Sequence, residues 1–356
     1  MADISEPSAL ALVPFVSVAK MMALIHHRGL ATILAELTDA IEAEFHRWPE
    51  FDKTPRVAAH SANGVIELMP AADHESYGFK YVNGHPSNTR LGYQTVTAFG
   101  VLSRVDNGYP VLLTEMTLLT ALRTAATSAM VARKLALPDA RIMAMIGNGA
   151  QCEFQAEAFR AVLGIRLLRL YDVDASAMRK AAKNLGAAGF DVEVCATPQE
   201  AVAGAQIITT CTADKQFATI LTDNMVGEGV HLNAIGGDCP GKTELHPDIL
   251  KRASTFVEYL PQTRIEGEIQ QMPEDYPTTE FWKVVTGQSA GRRSTAEITL
   301  FDSVGFAVED LAALKYIHGM VRDDKDIAML DLLADPDDPR DLYGMLQRAG
   351  GGTQQG

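Results

Sequence analysis

The chain has 356 residues, 47% of them hydrophobic and 21% charged, so it can bury a large core and is long enough for two domains. A formal net charge of −14 argues against a general nucleic-acid binder, although a local basic pocket remains compatible with it. The first dozen residues lack a basic stretch ahead of an apolar core, and no window is free of charge for long enough to cross a bilayer, so a cytoplasmic protein without membrane contact is expected.

From Val18 to Phe45 apolar residues recur at helical spacing, with Glu36, Asp39, Glu42 and Glu44 between them, which predicts one amphipathic helix. After a break over 48–55 the texture changes. Short segments at Val65–Met69, Tyr77–Val82, Thr95–Leu102 and Pro110–Leu113 are separated by Asn63-Gly64, Asn83-Gly84 and Asn107-Gly108. Such dipeptides mark tight hairpin turns, so this half reads as an antiparallel sheet, one face of it covered by the first helix.

Thr117–Leu137 is Ala-rich, with small residues that permit close helix packing, and is the predicted crossing between domains. It leads into an apolar run, Ile142–Ile146, that stops at Gly147, skips Asn148 and resumes with Gly149 ahead of helix-forming residues to Leu163. Strands and helices then alternate: strand 165–171, helix 175–188, strand 191–195, helix 199–203, strand 206–210 and strand 229–234. This alternation is that of a doubly wound parallel sheet with right-handed crossovers. A last run, Ile298–Phe301, is expected to close the sheet, and a helix over 308–320 to return to the first domain.

The fold class is therefore α/β, a Rossmann-type doubly wound parallel sheet domain plus an antiparallel-sheet α+β domain. The boundaries are 1–129, completed by C-terminal helices within 305–350, and 130–304, with a disordered tail at 351–356.

Gly147 permits a tight turn, Gly149 lets backbone approach a pyrophosphate, and the next helix offers unpaired N–H groups to phosphates. Cys152 occupies the third small position, so the glycine fingerprint is degenerate. Asp172, at the end of the next strand, falls where an acidic side chain grips ribose hydroxyls and repels a 2′-phosphate, which favours NAD over NADP. The bland reading is a ligand-free turn with a solvated Asp. Four scattered cysteines and nine histidines form neither C-x-x-C nor H-E-x-x-H groups, so no disulfide framework and no metal are expected.

Further along, Asp238 follows two glycines at a strand end, with Lys242 four residues on. It reads either as an acid or base at a nicotinamide edge or as a turn residue bonding its own backbone. Arg56, Lys80 and Arg123 are cations set in apolar texture, costly to bury unless an anion meets them. That anion is either a substrate carboxylate or a structural partner such as Glu67 or Glu115.

Seven segments carry a resemblance. Arg56-Val-Ala-Ala-His60, Val65-Ile-Glu-Leu-Met-Pro70, Phe79-Lys-Tyr-Val-Asn-Gly-His-Pro86, Thr120-Ala-Leu-Arg-Thr-Ala-Ala-Thr127, Ile146-Gly-Asn-Gly-Ala-Gln151, Asn233-Ala-Ile-Gly-Gly-Asp-Cys-Pro-Gly-Lys-Thr-Glu-Leu245 and Phe301-Asp-Ser-Val-Gly-Phe306 together resemble the ornithine cyclodeaminase and μ-crystallin family, from about Val13 to Leu346.

The resemblance implies conversion of L-ornithine to L-proline and ammonia with NAD used catalytically, in a homodimer joined through the antiparallel domain. It places Arg56, Lys80 and Arg123 at the substrate carboxylate, Glu67 and Val304 in the same pocket, and Asp238 as the catalytic acid/base. It sets Thr95, Arg123, Gly147, Gly149, Ala150, Gln151, Asp172, Thr212, Ala234, Ile235, Gly236, Gly237, Lys242 and Ser303 at the cofactor. Ala59 and Cys152 stand where the family often carries Ser, and every matched charged group is kept. Related activities of the same architecture, an imine reductase, an amino-acid dehydrogenase or a lysine cyclodeaminase, are the neighbouring readings, and a non-catalytic crystallin-type binder a distant one.

Overall fold

The computed structural model describes residues 11–213 and 219–350. The tail over 351–356 lies outside the described residues. Strand β1 (Leu12–Val16) leads into helix α1 (Val18–Arg28), where Ser17 caps the first turn by accepting from the Lys20 N–H. Helix α2 (Leu30–His46) follows after Gly29, which sits at φ +87. The predicted single helix over 18–45 is thus two, because a left-handed residue cannot continue a helix.

Strands β2 (Asp52–Lys53), β3 (Val57–His60), β4 (Val65–Ala72), β5 (Ser76–Gly84), β6 (Val96–Arg104) and β7 (Pro110–Glu115) form antiparallel pairs with their neighbours. β1 adds to β7 in parallel, so the sheet contains one parallel pair that the hairpin signals do not announce. Along β4 the inward residues Val65, Glu67, Met69 and Ala71 are buried and the alternating ones are not, the period-two pattern of a sheet with one covered face.

Helix α3 (Thr117–Leu135) crosses to the second sheet, burying Ala125, Ser128, Ala129 and Ala132 where small side chains admit close neighbours. There β8 (Ile142–Ile146), α4 (Cys152–Leu163), β9 (Leu167–Tyr171), α5 (Ala175–Ala187), β10 (Asp191–Val194), α6 (Pro198–Val202), β11 (Ile207–Thr210) and β12 (His231–Ala234) alternate as expected. Then come α7 (Pro247–Arg252), β13 (Ala253–Val257), α8 (Leu260–Glu266), β14 (Thr279–Glu280), α9 (Phe281–Val285) and β15 (Ile298–Asp302).

All pairs here are parallel, in the order β10-β9-β8-β11-β12-β15-β13-β14. β15 does not close the sheet. It lies between β12 and β13, buried at all five residues, and β14 is the edge.

Helix α10 (Ala307–Val321) leaves β15 and packs on β4, β5 and β6, so the covering helix of the first sheet comes from the C-terminal part of the chain. α2 packs chiefly on α3 and α10, forming the layer behind, where Thr38 is fully buried and donates to the Leu34 carbonyl at 2.7 Å. Strand β16 (Ala328–Asp331) pairs antiparallel with β1, and α11 (Leu342–Gly350) ends the described chain.

Candidate active site

From β8 the chain builds outward in both directions, through β9 to β10 and through β11 to β12, so the reversal of strand order falls between β8 and β11. A crevice at such a reversal, beyond the carboxyl ends of the strands, is where open α/β sheets take ligands. Gly147 opens it at φ +97, and a Cβ there would lie 2.7 Å from the Cys211 carbonyl oxygen. Above Gly149, in contrast, nothing stands within 4 Å of a Cβ position, and Ala150 is exposed. Gln151 precedes α4 without a side-chain cap; the Cys152 N–H donates to the Gly149 carbonyl at 3.4 Å, and the rest of the first turn is uncapped toward an anion.

Asp172 accepts from the Asn148 N–H at 2.6 Å and the Asp174 N–H at 2.8 Å, fixing its carboxylate beside the glycine turn. Cys152 lies beneath, its thiol pushed up to about 12 by burial, and the Cys211 thiol donates to the Gly147 carbonyl at 3.0 Å. These two are packing groups.

Past β12, the loop Ala234–Gly237 carries Asp238 out to a side chain 53% exposed. The two glycines have buried carboxylates as close neighbours. A Cβ on Gly236 would strike the Glu244 carboxylate, and one on Gly237 would lie 2.7 Å from Glu268 Oε1. Glu268 accepts from the Glu244 and Leu245 N–H groups at 2.7 and 3.1 Å, while Glu244 accepts from the Thr212 N–H at 2.9 Å. Buried carboxylates therefore seat the loop. Lys242 donates to the Thr212 carbonyl at 2.8 Å and stands 3.4 Å from Asp238. Among the described residues no backbone N–H donates to Asp238, so it is not the self-bonded turn residue. Ile235 is held by the Thr210 carbonyl at 3.0 Å.

The three cations come from separate elements. Arg56 precedes β3, Lys80 lies inward on β5, and Arg123 lies on α3; Lys80 and Arg123 are buried, and Arg56 is half-buried with its side chain turned inward, 7% exposed. Arg56 stands between Glu67 and Glu266, each at 3.1 Å, and its Nη2 donates to the carbonyls of Val304 and Gly305 just past β15. Lys80 and Arg123 share Asp310 at 2.8 and 2.9 Å, and Arg123 also meets Glu309 at 2.7 Å. Gly305, at φ +73, brings backbone so close that a Cβ would lie 2.7 Å from Arg123 Nη1. Burial lowers the Lys80 ammonium to about 8, with Arg123 and Arg56 adding repulsion against the pull of Asp310. The cations are therefore near enough to oppose one another, and Lys80 and Arg123 together are met by Asp310 and Glu309.

Glu67 is thus a structural partner of Arg56, whereas Glu115 is not a partner of these cations: it caps α3 by accepting from the Thr117 and Leu118 N–H groups. The true partners, Glu309 and Asp310, sit in the first turn of α10. Two acids inside an otherwise apolar run were the available signal. Ser303 donates to Glu258 at 2.5 Å, and the Val304 N–H lies 3.4 Å from the same carboxylate. Thr95, just before β6, accepts from the His85 N–H, and none of the described hydrogen bonds ties it to the cluster. Glu258, Gln262 and Glu266 have no motif around them; all come from the β13–α8 region, where the strand itself goes unmarked. Among the described residues there is no His, Cys, Asp or Glu group suited to a metal ion, and no helix long and apolar enough to cross a membrane.

The family model for the ornithine cyclodeaminase/mu-crystallin family matches residues 18–325. An ornithine cyclodeaminase of Brucella suis biovar 1 (strain 1330) is 66% identical over 337 residues, 95% of this chain and 94% of its own. Among solved structures, a lysine cyclodeaminase described as recognising L-lysine, L-ornithine and L-2,4-diaminobutyric acid superposes with a TM-score of 0.88 at 27% identity, covering 93% of this chain and 98% of its own. An archaeal alanine dehydrogenase dimer with bound NAD gives 0.82 at 30% identity, over 90% and 99%.

Proposed function

Because the chain belongs to the ornithine cyclodeaminase/mu-crystallin family, we propose that it converts L-ornithine to L-proline and ammonia with NAD as a catalytic hydride carrier. The observation that carries this is the meeting of two structures at Val304 and Gly305. There the ligand edge of the parallel sheet runs directly into the Arg56, Lys80 and Arg123 cluster.

The residues present fit NAD. Gly147 is committed to the turn, the space above Gly149 is open, α4 presents uncapped N–H groups, and Asp172 is fixed where ribose hydroxyls would lie. Thr212, Lys242, Ser303 and the 234–237 loop line the same edge, and Thr95 completes the assignment from the first sheet. When bound, NAD+ supplies a reversible hydride acceptor beside the substrate Cα.

The protein's share is positioning and proton handling. Arg56, Lys80 and Arg123 hold the substrate carboxylate, the arginines by forked N–H donors and the lysine as a point charge. Asp238 takes a proton from the α-ammonium before Cα is oxidised and returns one when that nitrogen departs. Holding the carboxylate keeps the distal amine in reach of Cα, which is most of what closing a five-membered ring requires. Residues 1–129 with 305–350 form the substrate and dimerisation part in this reading, and 130–304 the NAD part.

The test is incubation with ornithine and sub-stoichiometric NAD+. Proline and ammonia should appear in equal amounts, many per cofactor, without accumulating absorbance of reduced nicotinamide. Stoichiometric reduction of NAD+ would make the protein a dehydrogenase instead.

A further inference from the structure

A diamino acid brings a second ammonium, and the carboxylate clamp and Asp238 leave it without a partner. Ring closure places the distal nitrogen about 3 Å from Cα, one bond from the carboxylate carbon. Its acceptor must therefore neighbour the carboxylate clamp, since an acceptor on a distant wall would hold the chain extended. Of the four carboxylates ion-paired with the clamp, Glu309 and Asp310 are 0% and 1% exposed and engaged by Lys80 and Arg123, which leaves Glu67 and Glu266, one on each side of Arg56.

They differ in how far they are used. Glu67 accepts a well-formed hydrogen bond from Arg56 Nη1 at 3.1 Å. Glu266 is only 5% exposed, and its Oε2 lies 3.1 Å from Arg56 Nε yet accepts no hydrogen bond from it or from any other described group. A buried acceptor left unpaired costs free energy that a cationic donor would recover. The charge count agrees: Glu67, Glu266 and Asp238 face the Arg56 guanidinium and the Lys242 ammonium, three carboxylates against two cations, which suits one further cation.

We propose that Glu266 is the subsite for the distal ammonium of the substrate and the base that frees it for ring closure. This rests on the cyclodeaminase reading given above. In balanced form, Glu266 takes one proton from the distal ammonium, and the freed lone pair forms the new N–Cα bond as the Cα=N π pair moves onto the α-nitrogen. Asp238, donating from one oxygen and accepting at the other, passes the ring nitrogen's second proton to the departing α-nitrogen. The Glu266 proton returns to the finished ring amine, and the one Asp238 still holds leaves with ammonia as ammonium.

The surroundings suit the task. Burial raises the Glu266 carboxyl to about 7 against the pull of Arg56, with Glu67 and Asp238 adding repulsion. The groups facing it are Arg56 from the segment before β3, Glu67 of β4 and Asp238 of the β12 loop. Gln262 on its own helix orients Arg56 by accepting from its backbone N–H at 3.1 Å and donating to the Gly305 carbonyl at 2.9 Å. A base in this range is ionised at neutral to mildly alkaline pH and still able to give its proton back.

The experiment compares L-ornithine with L-norvaline, the same carbon chain without the distal nitrogen, as ligands of the NAD-loaded protein by calorimetry at pH 6 and pH 8.5. Wild type should prefer ornithine about ten-fold or more at the higher pH and less at the lower. Glu266→Gln should lose that preference and form proline about 100-fold more slowly, with norvaline and NAD affinities unchanged. Glu266→Asp should recover part of both. Wild-type preference and turnover in Glu266→Gln, or equal weakening of ornithine and norvaline, would overturn the proposal. If that variant does not fold, equal wild-type affinities for the two ligands at pH 8.5 overturn it and a clear preference supports it. Absence of proline from the wild type would sink the underlying reading first, and this inference with it.

Discussion

Asp238 is the most exposed of the charged groups at the site, and its described ion pair is with the Lys242 ammonium at 3.4 Å. Its loop is seated by Glu244 and Glu268 through glycines that leave no room for side chains, so changing the carboxylate itself should not unseat the loop. Asp238→Asn should therefore keep NAD affinity and ornithine affinity within a few-fold and lower kcat by about 10²- to 10⁴-fold. Calorimetry and steady-state rates separate the two effects, and a wild-type kcat would remove Asp238 from the chemistry. Arg56, Lys80, Arg123 and Asp238 were legible because a charge in apolar texture, or directly after paired glycines, stands out in a sequence. Glu266 and Glu309 were not. Acids in helices ordinarily mark a solvated face, and Glu309 finds Arg123 only through a pairing 186 positions apart.

At the level of elements, the two glycines of the first parallel turn hold distinct jobs. Gly147 carries a left-handed φ and has the Cys211 carbonyl against its Cα, whereas Gly149 faces open space. Gly147→Ala should lower the thermal midpoint of the protein without cofactor, at a cost of about 1–3 kcal/mol. Gly149→Ala should leave that midpoint unchanged and weaken NAD about ten-fold or more, because its new methyl occupies the approach to the phosphates. Scanning calorimetry and NAD titration distinguish them, and equal loss of stability in both would mean that Gly149 is a folding residue only. Asn63-Gly64 and Asn107-Gly108 do stand at hairpin turns, but Asn83-Gly84 lies within β5, paired with Thr97 and Val96, so the connection to β6 is not the tight turn expected there; βα alternation was readable from apolar period. β13 and β14 were not, since Ala253-Ser-Thr-Phe-Val257 sets two hydroxyls among its five residues and Thr279-Glu280 is only two half-buried residues, so neither presents an apolar run to detect. Missing them is what turned the central strand β15 into an expected edge.

Across the whole molecule, α10 ties the two sheets together: its start follows the ligand edge of the parallel sheet and its body lies on the inner face of the other. That leaves the outer face of the first sheet. Val57, Leu68, Tyr81 and Phe99 are paired in register across β3 to β6 and therefore form one row on that face. Val57, Leu68 and Phe99 are exposed, and Tyr81 stacks on Phe99 with ring centroids 4.9 Å apart. A contiguous apolar row on a sheet face suits an obligate interface, and a second copy would supply the matching row by twofold symmetry. The wild type should sediment as a homodimer. Phe99→Glu, which puts a charge on each side of that contact, should give a folded monomer, because Phe99 contributes little to the core of its own chain. A monomeric wild type, or a Phe99→Glu protein that still sediments as a dimer, would move the interface away from this face, and activity of the monomeric variant would then report whether each copy carries a complete site.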